Sequence, residues 1–400
     1  MTRTPPQLIT LIVLTAFSPL TLNMFLPSLG NIALDLQADY ALVSVAIAGY
    51  LAVTAVIQLI AGPLSDRYGR RPVLLVALVI FCLSSLVCAL AENIWVFLAF
   101  RMLQGGITAG YSLSLAIVRD TNSPQKSAGV IGYISMCMAV APMLGPVIGG
   151  LLDTAFGWRA NFYFYGLCGA ALLALVWFDL GETRPERNKE KEARRGSLFT
   201  LIGDPRFCAY ALCSAFSVGG FYIFLAGAPL VATQTFGVTP AELGILIGTI
   251  TVGFSAGGFL SGKLATRVSL PTLVLSGRIV ATTGLAAGLL AFLLGAITPL
   301  VFFGSTVFVG IGNGLTLPGS NSSAMSVRPD LAGSAAGLVA AFNLACGSVL
   351  TSLTGFAMDF GNKPVIVLTL MFVTAASGLL AALAALGLER SGRVSPSDAA

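Results

Sequence analysis

Apolar stretches long enough to cross a bilayer recur twelve times along this 400-residue chain, mostly with short polar connections between them. A transmembrane helix needs about 20 such residues, because the hydrocarbon core is about 30 Å thick and each helical residue rises about 1.5 Å. The stretches run 8–30, 42–62, 72–91, 94–118, 127–151, 160–180, 207–232, 241–265, 271–294, 297–322, 332–358 and 364–388. Only 10% of the residues are charged, against about a quarter in soluble domains, so water cannot be the solvent for most of the chain. In lipid every backbone group must be bonded internally, which makes helices of these segments. The expected fold class is all-α integral membrane with twelve transmembrane helices. The first stretch follows Arg3 and could be mistaken for a secretory leader. No convincing small-residue cleavage site follows it and its loss would leave an odd count, so it is read as a permanent span.

Lysine and arginine give these stretches a direction. With the amino terminus in the cytoplasm, the inner segments hold Arg3, Arg67, Arg70, Arg71, Arg119, Lys126, Arg184, Arg187, Lys189, Lys191, Arg194, Arg195, Arg206, Lys263, Arg267, Arg328, Arg390 and Arg393, eighteen of the 22 basic residues. The outer loops hold Arg159 and Lys363, and Arg101 and Arg278 fall inside spans. Cytoplasmic loops carry the basic excess, so both termini are expected inside a bacterial inner (cytoplasmic) membrane. The formal charge of +5 then reports orientation and not a nucleic-acid partner.

One polar stretch is long, Gly181 to Pro205, and its charged run cannot enter hydrocarbon. It reads as a solvated connection, with lipid headgroup contact or regulation as the lesser alternative. It divides the chain into an N-terminal six-helix bundle (1–180), a cytoplasmic linker (181–205), a C-terminal six-helix bundle (206–388) and a cytoplasmic tail (389–400). An internal echo supports the division: Gly62-Pro-Leu-Ser-Asp-Arg67, between the second and third spans, returns as Gly262-Lys-Leu-Ala-Thr-Arg267 between the eighth and ninth. Only Gly, Leu and Arg match, yet the two fall where a duplicated six-helix unit would place them.

Catalytic chemistry finds little support. There is no histidine, which removes the commonest metal ligand and general base. The seven cysteines are odd in number and scattered through apolar runs, so they read as small packed hydrophobes. No metal, no cofactor and no enzyme activity is called for. Polar residues inside spans are more telling. Arg101, Gln104, Thr108 and Ser112 are spaced to share one helix face, which should look into a cavity or onto a neighbouring helix and not onto lipid. An arginine that only pins helices or snorkels is the plainer reading. In the fifth span Gly145 and Gly149 form a small-xxx-small face, and Pro142 and Pro146 invite a bend.

These segments carry a family resemblance. Gly62-Pro-Leu-Ser-Asp-Arg-Tyr-Gly-Arg-Arg-Pro72 resembles the signature loop of the major facilitator superfamily. Arg101-Met-Leu-Gln-Gly-Gly106 is similar to that family's Arg-x-x-Gln-Gly motif, and Ala141-Pro-Met-Leu-Gly-Pro-Val-Ile-Gly-Gly150 to its antiporter signature. The first span's Thr21-Leu-Asn-Met-Phe-Leu-Pro27 and Trp158-Arg-Ala-Asn-Phe162 resemble the bicyclomycin and chloramphenicol exporters of the Bcr/CflA branch. The resemblance implies two pseudo-symmetric six-helix bundles around a central cavity. It implies a gating loop of Gly62, Asp66, Arg67, Gly69, Arg70 and Arg71, with Asp66 facing the start of the eleventh helix near Ala332. It implies an antiporter motif of Pro142, Gly145, Pro146, Gly149 and Gly150.

The chain departs from the branch at one position, where Asn23 stands in place of the family's proton-coupling aspartate. Asp35 and Asp39 are placed in the first outer loop, Asp66 in the signature loop and Asp179 at the inner edge of span six, with no carboxylate at mid-membrane. Asp35 lies about 18 Å beyond Asn23 on a continuous helix and cannot substitute for it. Transport is thus expected to be facilitated, coupled through a different site or driven by substrate exchange, with coupling to protons weak or absent. The reading that results is a monomeric secondary transporter of the multidrug-efflux type, with a small-molecule substrate and the bilayer as its partners. Asn23, Arg101, Gln104, Thr108, Tyr50, Gln58, Tyr222, Asn313 and Asn343 are its candidate cavity residues. The buried positive excess from Arg101 and Arg278 suits a neutral or anionic solute, although Arg278 is near enough to the cytoplasmic end to snorkel. A nutrient facilitator or importer on the same fold is the rival, and a membrane receptor or enzyme the remote one.

Overall fold

The computed structural model describes residues 6–122, 130, 134, 144–183, 198–265, 267–328 and 331–393, and every regular element among them is helical. Among the described residues ten helices are long and apolar enough to cross a membrane. They match ten of the twelve stretches, the first being Leu8–Met24 continued by Leu29–Asp35. The others are Tyr40–Tyr68, Arg70–Leu90, Arg159–Asp179, Pro205–Phe236, Pro240–Leu264, Leu270–Leu293, Pro299–Ser326, Ala332–Ala357 and Lys363–Arg393. The fourth span is divided into Ile94–Leu103 and Ala109–Thr121 by a 3₁₀ turn at Gln104–Thr108. Of the fifth, Leu144–Phe156 is described; Pro142 and the stretch before it lie outside the described residues, as do most of the charged linker and the last seven residues.

Local chemistry sets the helix ends. Asn93 Oδ1 accepts from the backbone N–H of Trp95 at 2.8 Å and Thr298 Oγ1 from that of Val301 at 3.3 Å, each satisfying a donor orphaned at a helix start. Thr239 and Glu242 form a reciprocal capping box: Thr239 N–H donates to Glu242 Oε2 at 2.9 Å, and Glu242 N–H to Thr239 Oγ1 at 3.3 Å. Pro27, in the 3₁₀ turn Leu26–Ser28, interrupts the first span. Asp35 is therefore the last residue of a helix and not part of a loop. The Gly62–Pro72 segment is likewise mostly helix, since the second span runs on through Tyr68 and the chain turns only at Gly69, whose φ of +104° a side chain would resist.

The described chain clusters into two compact units. The first comprises Met1–Arg187, Leu225–Gly248 and Thr351–Phe360, and the second Asn188–Phe224, Thr249–Leu350 and Gly361–Ala400. Within the first, an edge-to-face relay of Phe97, Trp158, Phe162 and Tyr165 fills the space between the fourth and sixth spans. Within the second, glycines let helices touch backbone to backbone. A Cβ at Gly253 or Gly257 would strike the carbonyls of Val307 or Ile311, and one at Gly310 or Gly314 the carbonyls of Ile250 or Phe254. Lipid offers little hydrophobic drive for helix association, so such close approach supplies the dispersion contact that holds spans eight and ten together.

Candidate functional site

Arg101 is completely buried in the first unit, at the last turn of Ile94–Leu103. Its Nη2 donates to the backbone carbonyl of Thr21 at 2.9 Å, and its Nη1 to Gln104 Oε1 at 2.6 Å. The guanidinium lies 4.1 Å from the ring centre of Phe25, 4.6 Å from Tyr50 and 6.0 Å from Phe162. No carboxylate pairs with it among the described residues. A cation in such a place would cost several kcal/mol unaided. Its neutral acceptors and aromatic faces, the latter about 0.5–2 kcal/mol each, offset that cost.

The same cluster gathers four more sequence candidates. Gln104 passes the network on through Nε2 to Ser85 Oγ at 2.8 Å. Tyr50 shares a hydrogen bond with Thr21 Oγ1 at 3.2 Å, while Tyr165 donates to the Thr21 carbonyl at 3.0 Å. Thr108 is buried but spends its hydroxyl on Gly105 of its own turn at 2.7 Å. Asn23, 2% exposed, donates to Pro19 O at 2.7 Å, and its buried Oδ1 accepts nothing among the described residues. Ser112, the fourth member of the expected polar face, is half-buried. Gln58 is half-buried on the second span and outside the cluster's bonds. Tyr165 and Phe162 of the sixth span complete the Arg101 box; neither was among the candidate cavity residues, and Phe162 entered only as part of the segment Trp158–Phe162.

In the second unit Arg278 is 1% exposed and does not snorkel. Its Nη2 donates to Asn313 Oδ1 at 2.6 Å and its Nε to Thr316 Oγ1 at 3.0 Å, and Asn313 Nδ2 donates in turn to the Ser217 carbonyl at 2.9 Å. The tenth span thus supplies the acceptors that keep this arginine inside. Asn343 donates to Ser214 Oγ at 3.1 Å, its buried Oδ1 has no partner among the described residues, and the ring of Tyr222 lies against Gly347.

At the junction of the second and third spans, Arg70 joins three elements. It pairs with Asp66 at 2.8 Å and with Asp120, from the end of the fourth span, at 3.1 Å, and it bonds Ser65 Oγ. Glu182 accepts from Arg70 N–H at 2.9 Å, so a carboxylate from the end of span six caps the third helix where its dipole is positive. Arg71 donates to the Trp177 carbonyl at 2.7 Å. Arg67 is exposed and lies over Tyr68. Gly62 has open space around it, whereas Gly69 lies against Glu182. Asp120 and Glu182 belong to this network but not to the sequence candidates. Their signal was an acid just beyond an apolar run, which hydropathy treats as loop.

The glycines of the fifth span form a seam with the first. Gly145 lies against Asn23 and Leu20, and a Cβ at Gly149 would overlap the Met24 carbonyl. On the other side Gly150 lies against Pro240, and Gly244 against Pro146. One turn beyond Gly149 is Asp153, 5% exposed, a buried carboxylate that the inventory of acids missed. Asp35, by contrast, is exposed and pairs with Arg159 and Trp158.

A helical protein with this many apolar spans and with arginines dissolved in neutral protein groups is a multi-pass membrane transporter of the major facilitator fold. The chain belongs to the Major Facilitator Superfamily, whose family model matches residues 11–351. It is 34% identical over 381 residues, 92% of each chain, to the MFS-type transporter YdgK of Bacillus subtilis. It is 28% identical to a bicyclomycin resistance protein homolog of Haemophilus influenzae, over 86% of this chain and 88% of that one. Against the multidrug resistance protein MdtL of Escherichia coli O157:H7 it is 32% identical over 68% of each chain. These relatives agree with the Bcr/CflA resemblance. A bacterial homologue of the human lysosomal transporter Spinster, inward-facing and occupied, superposes with a TM-score of 0.75 at 18% identity, covering 98% of both chains. A D-xylose–proton symporter gives 0.74 at 16% identity over 94% of this chain and 96% of its own. Both likenesses show the fold alone.

Proposed function

We propose that this protein exports small organic molecules of the kind handled by multidrug efflux, across a bacterial cytoplasmic membrane and by alternating access. In this reading the bundles are 1–180 and 206–388, both termini are cytoplasmic, and a monomer suffices. The names of the bicyclomycin- and multidrug-resistance relatives favour efflux. The observation that carries the reading is Arg101, fully buried on the fourth span among Phe25, Tyr50 and Phe162, with no acid paired to it among the described residues. Aromatic faces and a fixed positive charge make a broad, weakly selective site for neutral or anionic solutes. In cells stripped of their own pumps, expression should lower chloramphenicol accumulation several-fold, and Arg101→Ala should abolish the effect. Accumulation above the vector control would instead select the importer, the rival that Asn23 favours because an amide cannot carry a proton.

A further inference from the structure

The seam between the first and fifth spans buries one acid at a span's edge, away from any charged partner among the described residues. Asp153 continues the face of Gly145 and Gly149, one helical turn further on. Opposite that face, the first span contributes Asn23 to Gly145, Met24 to Gly149, and Ser28 with Asn31 to Asp153. Asn31 Nδ2 lies 3.0 Å from each carboxylate oxygen. Ser28, fully buried, receives a hydrogen bond from Asn161 Nδ2 at 3.0 Å, which frees its own proton for Asp153. Among the described residues Asn161 Oδ1, also buried, accepts nothing, and every donor to this carboxylate is neutral. The charged groups on the surrounding elements are otherwise engaged or exposed: Asp35 and Arg159 pair with each other, Glu242 accepts from Thr239, and Asp39 and Glu92 face outward.

A carboxylate held only by neutral donors in a closed seam is poorly stabilised as an anion and well suited as a neutral acid. The branch that this chain resembles carries its acid on the first span, at the position of Asn23. Here the acid stands on the fifth span, displaced along the same seam. We propose that Asp153 is the proton-binding site of this transporter and that it takes the coupling role Asn23 cannot fill. The step is a simple exchange. Hydronium gives its proton to a carboxylate oxygen and leaves as water while the seam is open, the neutral acid stays protonated while the seam is closed, and it returns the proton to water when the seam opens again. Span five is the element that would sense the change, because its opposite edge packs on Pro240 and Gly244.

The role in coupling rests on the transport reading above, and the test separates the two. Infrared difference spectra of the purified full chain, taken across a pH series, should show a protonated-carboxyl band that disappears in Asp153→Asn. In Ser28→Ala, which leaves the acid itself in place, the band should titrate about one pH unit higher, because a donor to the charged form is lost. In reconstituted vesicles, accumulation of labelled chloramphenicol driven by a pH gradient should fall at least tenfold in Asp153→Asn, while counterflow exchange persists. A spectrum without the band overturns the proposal. So does gradient-driven accumulation that Asp153→Asn leaves unchanged. If the unmodified protein shows no chloramphenicol counterflow, the transport reading fails for that solute, and the infrared titration still decides whether Asp153 binds the proton.

Discussion

Arg101 illustrates how much depends on the shape of a single cation. Its planar fork reaches a backbone carbonyl and an amide oxygen at once while lying between aromatic rings. Lysine keeps the charge but concentrates it in an ammonium that stacks poorly and demands fuller hydration. Arg101→Lys should therefore lower solute flux more than tenfold and reduce thermal stability, with normal membrane insertion. Flux within twofold of the parent would assign Arg101 to charge alone. Asn23 makes the complementary case. Its Nδ2 donates to Pro19 O, a bond that a protonated acid can retain and a carboxylate cannot. Asn23→Asp should thus bind a proton in this conformation and increase the response of vesicle flux to a pH gradient by about tenfold, a coupling energy of about 1.4 kcal/mol. An unchanged response would remove this position from any part in coupling.

The helices show which signals a sequence can carry. Eleven of the apolar stretches coincide with helices and the fifth does so in part, because a 20-residue apolar run has few other options in lipid. Hydropathy reports where lipid ends and not where the helix ends. It therefore cut the second helix at Gly62, although the backbone winds on to Tyr68 through a charged turn. The 3₁₀ turn at Gln104–Thr108 was invisible for a different reason: its residues follow helical spacing, which does not separate one helical pitch from the other. Arg101, Gln104 and Tyr50 could be singled out as candidates because polar groups in spans are rare. Asp153 escaped notice because it sits at a span's edge, where an acid looks solvated until neighbouring helices bury it. The glycine pattern of span five was legible as a packing face, but its partner was not. Gly149→Ala would drive a methyl group into the Met24 carbonyl, and only a helix displacement could relieve it. It should cut the yield of folded protein severalfold, whereas Gly106→Ala, with nothing near its Cβ, should leave yield and flux unchanged. Size-exclusion profiles of the two variants in detergent check this, and equal profiles would mean that the seam is not tightly closed.

At the scale of the molecule, the distribution of buried charge limits what can be carried. Each compact unit holds one arginine at 1% exposure or less, Arg101 in the first and Arg278 in the second, and neither pairs with an acid among the described residues. Both are held by amides, hydroxyls and carbonyls, which orient toward a cation without cancelling its field. A solute cation entering such an interior meets repulsion that water screens poorly, and at an effective dielectric of about 20 a like charge 8 Å away costs roughly 2 kcal/mol. That is enough to depress binding about thirtyfold. Among solutes of similar size, neutral chloramphenicol and an anionic dye should be exported better than ethidium. Replacing Arg101 by glutamine should narrow the gap by raising the relative export of ethidium, because it removes a fixed charge while keeping a hydrogen-bonding amide. Competition assays in pump-deficient cells measure both effects together. Export of ethidium ahead of the neutral and anionic probes would show that another group, with Asp153 in its ionised form the first to examine, sets the sign of the interior.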